Sequence, residues 1–169
     1  VGFFEYDPIT DTWAQKANFG GGNRMIAVGL SIGGKGYMGT GKISGNTGTN
    51  DFWEWDPSTN IWTQKASYAG NAVSEATGFV IGNYGFVGTG TIYTGSGAVS
   101  DFWRYDPFLN TWTQIANFGG GLRELAAGFS IGCKGYVATG WVNDNYATAK
   151  NDLLEYSPFS WIPRQEDIK

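Results

Sequence analysis

Two glutamates and two arginines occupy matching places when the chain is laid against itself, with Glu75 and Glu124 in adjacent columns beside Arg24 and Arg123. Acids set next to arginines can bind a polar ligand or carry out general acid–base chemistry. They can equally neutralise one another as a structural ion pair. A second constellation is aromatic. Trp141 and Tyr146 share one variable segment with Asp144, and Tyr93 stands in the corresponding segment of the preceding repeat. Flat aromatic faces with a polar edge suit a sugar ring or a protein partner. Asn143-Asp144-Asn145 supplies oxygen ligands but lacks the glycine and glutamate of a calcium loop. The chain has no histidine and one cysteine, Cys133, which excludes His-dependent triads, zinc fingers and a disulfide framework. Neither a metal nor a cofactor is expected.

Other residues that resemble chemistry read as scaffold. Asp7, Asp56 and Asp106 each precede a proline, which makes them turn residues rather than paired acids. Trp13, Trp62 and Trp112 recur in one column, so each is expected to pack in the core, where an aromatic buries about 150–250 Å². Composition narrows the classes further. The 169 residues suit one domain, and 17% aromatic with 15% charged residues argues against disorder. A net charge of −4 with no basic run argues against nucleic acid and anionic membrane surfaces as partners.

The elements that position these residues are repeats. Phe3-Phe4-Glu5-Tyr6-Asp7-Pro8 returns at Phe52–Pro57 and Phe102–Pro107, with a worn copy at Leu153–Pro158. The aspartates stand 49 and 50 residues apart, and the tryptophans keep the same intervals. Each unit reads as four short strands, A to D, with β-branched and aromatic content and no helical period. Strand A is expected at Ile26–Ile32, Glu75–Ile81 and Leu125–Ile131, strand B at Tyr37–Gly39, Phe86–Gly88 and Tyr136–Ala138. The Phe-Trp-Glu-Tyr type of run is strand C, and strand D starts at the tryptophan. The B–C loops, Lys42–Asn50, Thr91–Ser100 and Trp141–Asn151, differ most between copies. Sites on a rigid scaffold are carried by such loops. Because strand direction alternates, the D–A loops open on the same face.

An aromatic followed after six residues by tryptophan (Tyr6…Trp13, Trp55…Trp62, Tyr105…Trp112), a strand ending in glycine, and Arg24 and Arg123 opening strand A together resemble kelch repeats, most like those of secreted bacterial proteins. The resemblance implies an all-β fold of four-stranded antiparallel β-propeller blades. About 3.5 blades are expected as a partial or half propeller: residues 1–20 as strands C and D of a first blade, 21–69 and 70–119 as full blades, and 120–169 as a degenerate end. Such a count calls for the remainder of a larger propeller or for self-association, with strand-edge pairing near residues 1–7 and the tail. The resemblance further implies a non-enzymatic module that binds a protein through one loop face, with Arg24, Glu75, Tyr93, Arg123, Glu124, Trp141, Asp144 and Tyr146 as its binding residues. A carbohydrate-binding module, or part of a sugar-modifying kelch enzyme such as a sialic acid epimerase or mutarotase, is the alternative. An extracellular or cell-surface location is expected.

Overall fold

Alternation of apolar and small residues sets the strands. In the computed structural model, which describes residues 2–93, 97–143 and 145–157, β1 (Phe3–Asp7) and β2 (Thr12–Lys16) form an antiparallel pair. After β3 (Val28–Ile32) and β4 (Lys35–Gly39) comes a small hairpin, β5 (Lys42–Ile43) with β6 (Thr47–Gly48), and then β7 (Phe52–Asp56) and β8 (Ile61–Lys65). The next repeat runs β9 (Thr77–Ile81), β10 (Tyr84–Gly88), hairpin β11 (Thr91–Ile92) and β12 (Gly97–Ala98), β13 (Phe102–Asp106) and β14 (Thr111–Ile115). The last comprises β15 (Ala127–Ile131), β16 (Lys134–Ala138) and β17 (Leu153–Tyr156).

These strands form two four-stranded antiparallel sheets, β3-β4-β7-β8 and β9-β10-β13-β14, flanked by the β1-β2 pair and the three-stranded β15-β16-β17 sheet. The order A-B-C-D expected from the repeat is the order observed. The innermost strands of successive sheets lie side by side, β3 with β9 and β9 with β15. The arrangement is propeller-like and unclosed among the described residues. Strand B begins two residues earlier than expected because the A–B turn is only two residues long. Gly33 and Gly34 both have positive φ (58° and 78°), whereas the later turns need it only at Gly82 and Gly132 (57° and 59°). A two-residue hairpin turn with positive φ at its first position alone accepts other residues at the second, which is why Asn83 and Cys133 stand there.

Successive sheets are clamped through a reciprocal pair of hydrogen bonds. The Trp62 indole donates to the Ala17 carbonyl (3.0 Å) and Asn60 Oδ1 accepts from the Ala17 amide (2.9 Å). One repeat later Trp112 donates to the Ala66 carbonyl (2.9 Å) and Asn110 Oδ1 accepts from the Ala66 amide (2.9 Å). Asn60 and Asn110 sit in the turns begun by Asp56 and Asp106 with φ of 56° and 53°, a left-handed conformation that asparagine tolerates. The indoles also receive the preceding unit's aromatics, Phe3 on Trp62 at 5.3 Å and Phe52 on Trp112 at 5.0 Å. Trp62 and Trp112 therefore pack between sheets as expected. Trp13 does not: no described strand lies over it, and it is exposed.

Glycine columns flatten the receiving side of each sheet. A Cβ on Gly78 would lie 2.8 Å from the Phe86 carbonyl oxygen and 2.9 Å from Val28 Cγ1, while one on Gly29, in the same column, would meet nothing within 4 Å. Overpacking costs about 1–3 kcal/mol. Gly78→Ala is therefore expected to lower the unfolding free energy, measured by urea titration, by that much, and Gly29→Ala to be neutral or slightly stabilising through the unfolded chain. Equal loss from both would remove the inter-sheet explanation.

Candidate functional site

The D–A and B–C loops meet on one side of the sheets. The Tyr68 amide donates to the Asn50 carbonyl and that of Phe118 to the Ser100 carbonyl, both at 2.7 Å. Arg24 fixes the first such meeting, its Nη1 and Nη2 contacting Asp51 Oδ1 and Oδ2 at 2.6 and 2.9 Å while also donating to the Thr40 and Gly21 carbonyls. Arg123 repeats the arrangement on Asp152 at 2.8 and 2.9 Å, and on the Thr139 and Gly120 carbonyls. Both guanidinium groups are buried and lie 5.2 Å from a phenylalanine ring centre, Phe19 and Phe118 respectively. In the middle repeat Val73 replaces the arginine and Tyr68 the phenylalanine. Burial and the Asp101 carboxylate both push the Tyr68 hydroxyl well above the usual tyrosine range. The expectation that these arginines neutralise Glu75 and Glu124 is thus replaced by bidentate pairs with Asp51 and Asp152.

Glu75 and Glu124 lie on the inner edge, where the chain passes from loop to strand A. Main-chain pairs link Met25 with Lys42, Ser74 with Thr91 and Glu124 with Trp141. The following residues, Ile26, Glu75 and Leu125, all have left-handed φ (55°, 62° and 52°). The Glu75 amide donates to the Ile26 carbonyl at 3.4 Å and the Leu125 amide to the Glu75 carbonyl at 3.0 Å, so this column steps from one repeat to the next. Strand A therefore starts two residues later than expected.

The buried Glu75 carboxylate accepts a short hydrogen bond from the Tyr93 hydroxyl. Lys42, from the preceding repeat, places Nζ 3.4 Å from that hydroxyl and 4.7 Å from the ring centre. Burial, then the bond to Glu75, raises the Tyr93 pKa, while Ser74 and Lys42 act in the opposite direction. Two of the candidate residues thus form one polar cluster with Lys42, able to present a hydroxyl and an ammonium to a polar ligand.

The third B–C loop departs from the hairpin form of the other two. It folds into a 3-10 turn, Tyr146–Thr148, capped by the Asn145 side chain, with the Thr148 hydroxyl bonded to both the Val142 amide and carbonyl. The Asn143 side chain accepts from the Ala98 amide of the neighbouring hairpin at 3.2 Å. Trp141 and Tyr146 meet edge to face at 4.6 Å, and Tyr146 is 78% exposed. Glu124 is fully buried beneath the strand pair it makes with Trp141. Asp144 lies outside the described residues, as do Pro158 and Trp161 of the expected degenerate end. Among the described residues no three His, Cys, Asp or Glu side chains gather as metal ligands.

Lys42, Asp51 and Asp152 are not among the residues singled out from the sequence, and Asn143 stands there only as an oxygen donor of a weak calcium-like run. The aspartates carried a signal: Asp51, Asp101 and Asp152 each stand directly before a strand-C run. The roles of Lys42 and Asn143 carried none, because each acts on a neighbouring repeat.

No protein-family model matches the chain, and neither does any curated protein. Its fold is similar to a solved structure titled "Structure of YjhT", with a TM-score of 0.76 and 14% identity over 91% of this chain and 48% of that one. The likeness shows the fold. The described residues form an open, propeller-like assembly of antiparallel sheets, and the chain spans about half the length of that protein.

The arginine pairs carry a pH consequence. Burial alone would raise the Asp51 carboxyl, but the bonds from Arg24 and the Trp53 indole outweigh it and hold the pKa below the usual range. A lowered folded-state pKa contributes stability that is complete above the unfolded value of about 3.9 and is lost as pH falls through the folded value. Asp51→Asn, which leaves a buried guanidinium half-paired, is expected to cost about 3 kcal/mol at pH 7, the low end for breaking a buried pair. The variant should lose less stability than the parent between pH 4 and pH 2, measured by urea unfolding. Parallel acid limbs would contradict this.

Proposed function

We propose that the chain is a kelch-type propeller module, extracellular or at the cell surface, that binds a protein partner through the face formed by its B–C and D–A loops. The observation that carries this reading is the third B–C loop. Where the other two close as short hairpins, this one is built by Asn145 and Thr148 into a turn that holds Tyr146 out beside Trp141. Rigid, amphipathic aromatics on an ordered loop are enriched where proteins recognise one another. The repeated polar residues Arg24, Arg123, Asn60 and Asn110 are spent on joining sheets and loops, which fits a scaffold without catalysis.

A specific arrangement favours a second reading, carbohydrate binding. The Glu75–Tyr93–Lys42 cluster supplies donors and acceptors, and Trp141 and Tyr146 supply ring faces. A sugar-modifying activity would draw on the same cluster, with Glu75 as the proton acceptor.

Replacing residues 141–151 by residues 42–50 separates these readings. A protein binder selected from a displayed secreted proteome should be lost on this swap and kept in Glu75→Gln. A glycan-array signal lost in Glu75→Gln and Tyr146→Ala alike would favour the sugar reading. A binder that ignores the swap and responds to changes in the Asp56–Asn60 turn would place the site on the opposite face.

A further inference from the structure

Successive B–C loops touch one another through a shared column. Ser44, Tyr93 and Asn143 hold the same place in the three repeats, two residues after Lys42, Thr91 and Trp141. Tyr93 reaches back to the preceding hairpin, where Lys42 Nζ lies 3.4 Å from its hydroxyl. Asn143 also reaches back: its Oδ1 accepts from the amide of Ala98, a buried residue of β12, at 3.2 Å. Gly97, beside Ala98, leaves room for this approach. It has a φ of 68°, and a Cβ there would lie 2.7 Å from Asn143 Oδ1. Asn143 itself has a φ of 56°, a left-handed conformation that asparagine adopts more readily than most side chains. Beyond Asn143 the third loop is tied to itself. The Asn145 amide donates to the Val142 carbonyl at 3.3 Å, the Asn145 side chain accepts from the Ala147 amide at 3.0 Å, and the Thr148 hydroxyl closes on Val142. The closed turn hangs from Trp141 and Lys150, whose main chains bond to Glu124 and Gly140 of the same repeat. Among the described residues, Asn143 is the side chain of this loop that bonds to another repeat.

We propose that Asn143 is a positioning residue of the binding face: by docking the third loop on β12 it fixes where Tyr146 stands, so that a partner meets the second and third loops as one surface. The partner in this statement rests on the loop-face reading above; the docking does not. A turn closed on itself keeps its internal shape when released, but it swings about its two attachments. An aromatic side chain on a swinging turn must be immobilised when a partner binds, and that ordering weakens the complex. Asn143 thereby acts on recognition through Tyr146.

Two substitutions remove the contact from opposite sides. Asn143→Gly keeps the left-handed backbone and deletes Oδ1, while Gly97→Ala leaves the third loop intact and sets a methyl against Oδ1. Nuclear magnetic resonance of the full chain reads both. In the parent the Ala98 amide is expected to exchange slowly, and the Tyr146 ring signals to be displaced by the Trp141 indole, 4.6 Å away. Each substitution should release the Ala98 amide and move the Tyr146 signals toward those of free tyrosine. Unchanged amides in the β9-β10-β13-β14 sheet show that the variants are folded. Asn143→Asp, which retains an acceptor oxygen, should restore both signatures. With a protein binder that is lost when residues 141–151 are replaced, Asn143→Gly should speed dissociation about three- to tenfold, the worth of one hydrogen bond. Association should change little, and Asn143→Asp should recover the parent rate. Tyr146 signals unmoved by both Asn143→Gly and Gly97→Ala would overturn the positioning role, with or without a binder. A binder lost on the loop swap that leaves Asn143→Gly at the parent rate would overturn its part in recognition. If no such binder is found, the loop-face reading falls and the Tyr146 signals still decide the docking.

Discussion

The alanine peptide that ends strand D in one repeat is held from both sides by the next repeat, its carbonyl by an indole and its amide by an asparagine side chain. Ala17 is held by Trp62 and Asn60, and Ala66 by Trp112 and Asn110. The same asparagines accept from the strand-C aromatics, Asn60 from the Trp55 indole and Asn110 from the Tyr105 hydroxyl. One side chain in a left-handed turn thereby fixes its own turn, its own aromatic and the position of the sheet before it. A four-stranded sheet of five-residue strands has little core of its own, so its orientation depends on such links to its neighbours.

Given that clamp, the remaining features fall into two sets. Glycines at Gly78, Gly85 and Gly135 let Leu30, Ile32 and Phe79 of the preceding sheet approach the backbone. On the opposite side, Arg24 and Arg123 tie the loops down through Asp51 and Asp152, and Tyr68 with Val73 supplies an alternative packing for the same place. With backbone and loop bases secured by repeated residues, the segment after Gly140 is free to differ, and it is there that the exposed Tyr146 stands against the half-buried Trp141.

Strand order, turns and the inter-sheet role of Trp62 and Trp112 were legible in the sequence because they are columns: a residue type that returns after about fifty positions reports a place in a unit. What was not legible depended on contacts between units. Trp13 belongs to the packing column, yet it is exposed because no described strand covers it. The start of strand A was set too early because Ile26, Glu75 and Leu125 look apolar or strand-compatible as letters. Their left-handed backbone follows from main-chain bonds to adjacent repeats. Arginine and glutamate columns lie next to each other in sequence, but the bidentate partners come from the end of the B–C loop. For the candidate site, the aromatics and Glu75 could be named in advance, whereas Lys42 joins the cluster only through the juxtaposition of two repeats.

The clamp itself is open to direct measurement by hydrogen exchange at the Ala66 amide, whose acceptor is the Asn110 side chain rather than a strand partner. Ala66 is expected to be protected to the level of amides inside the β9-β10-β13-β14 sheet. Asn110→Gly, which keeps the left-handed turn while removing Oδ1, should abolish that protection and loosen the seam on both sides. An Ala66 amide that exchanges as fast as the loops in the parent chain, or one unmoved by Asn110→Gly, would contradict the claim that successive sheets are held in place by this link.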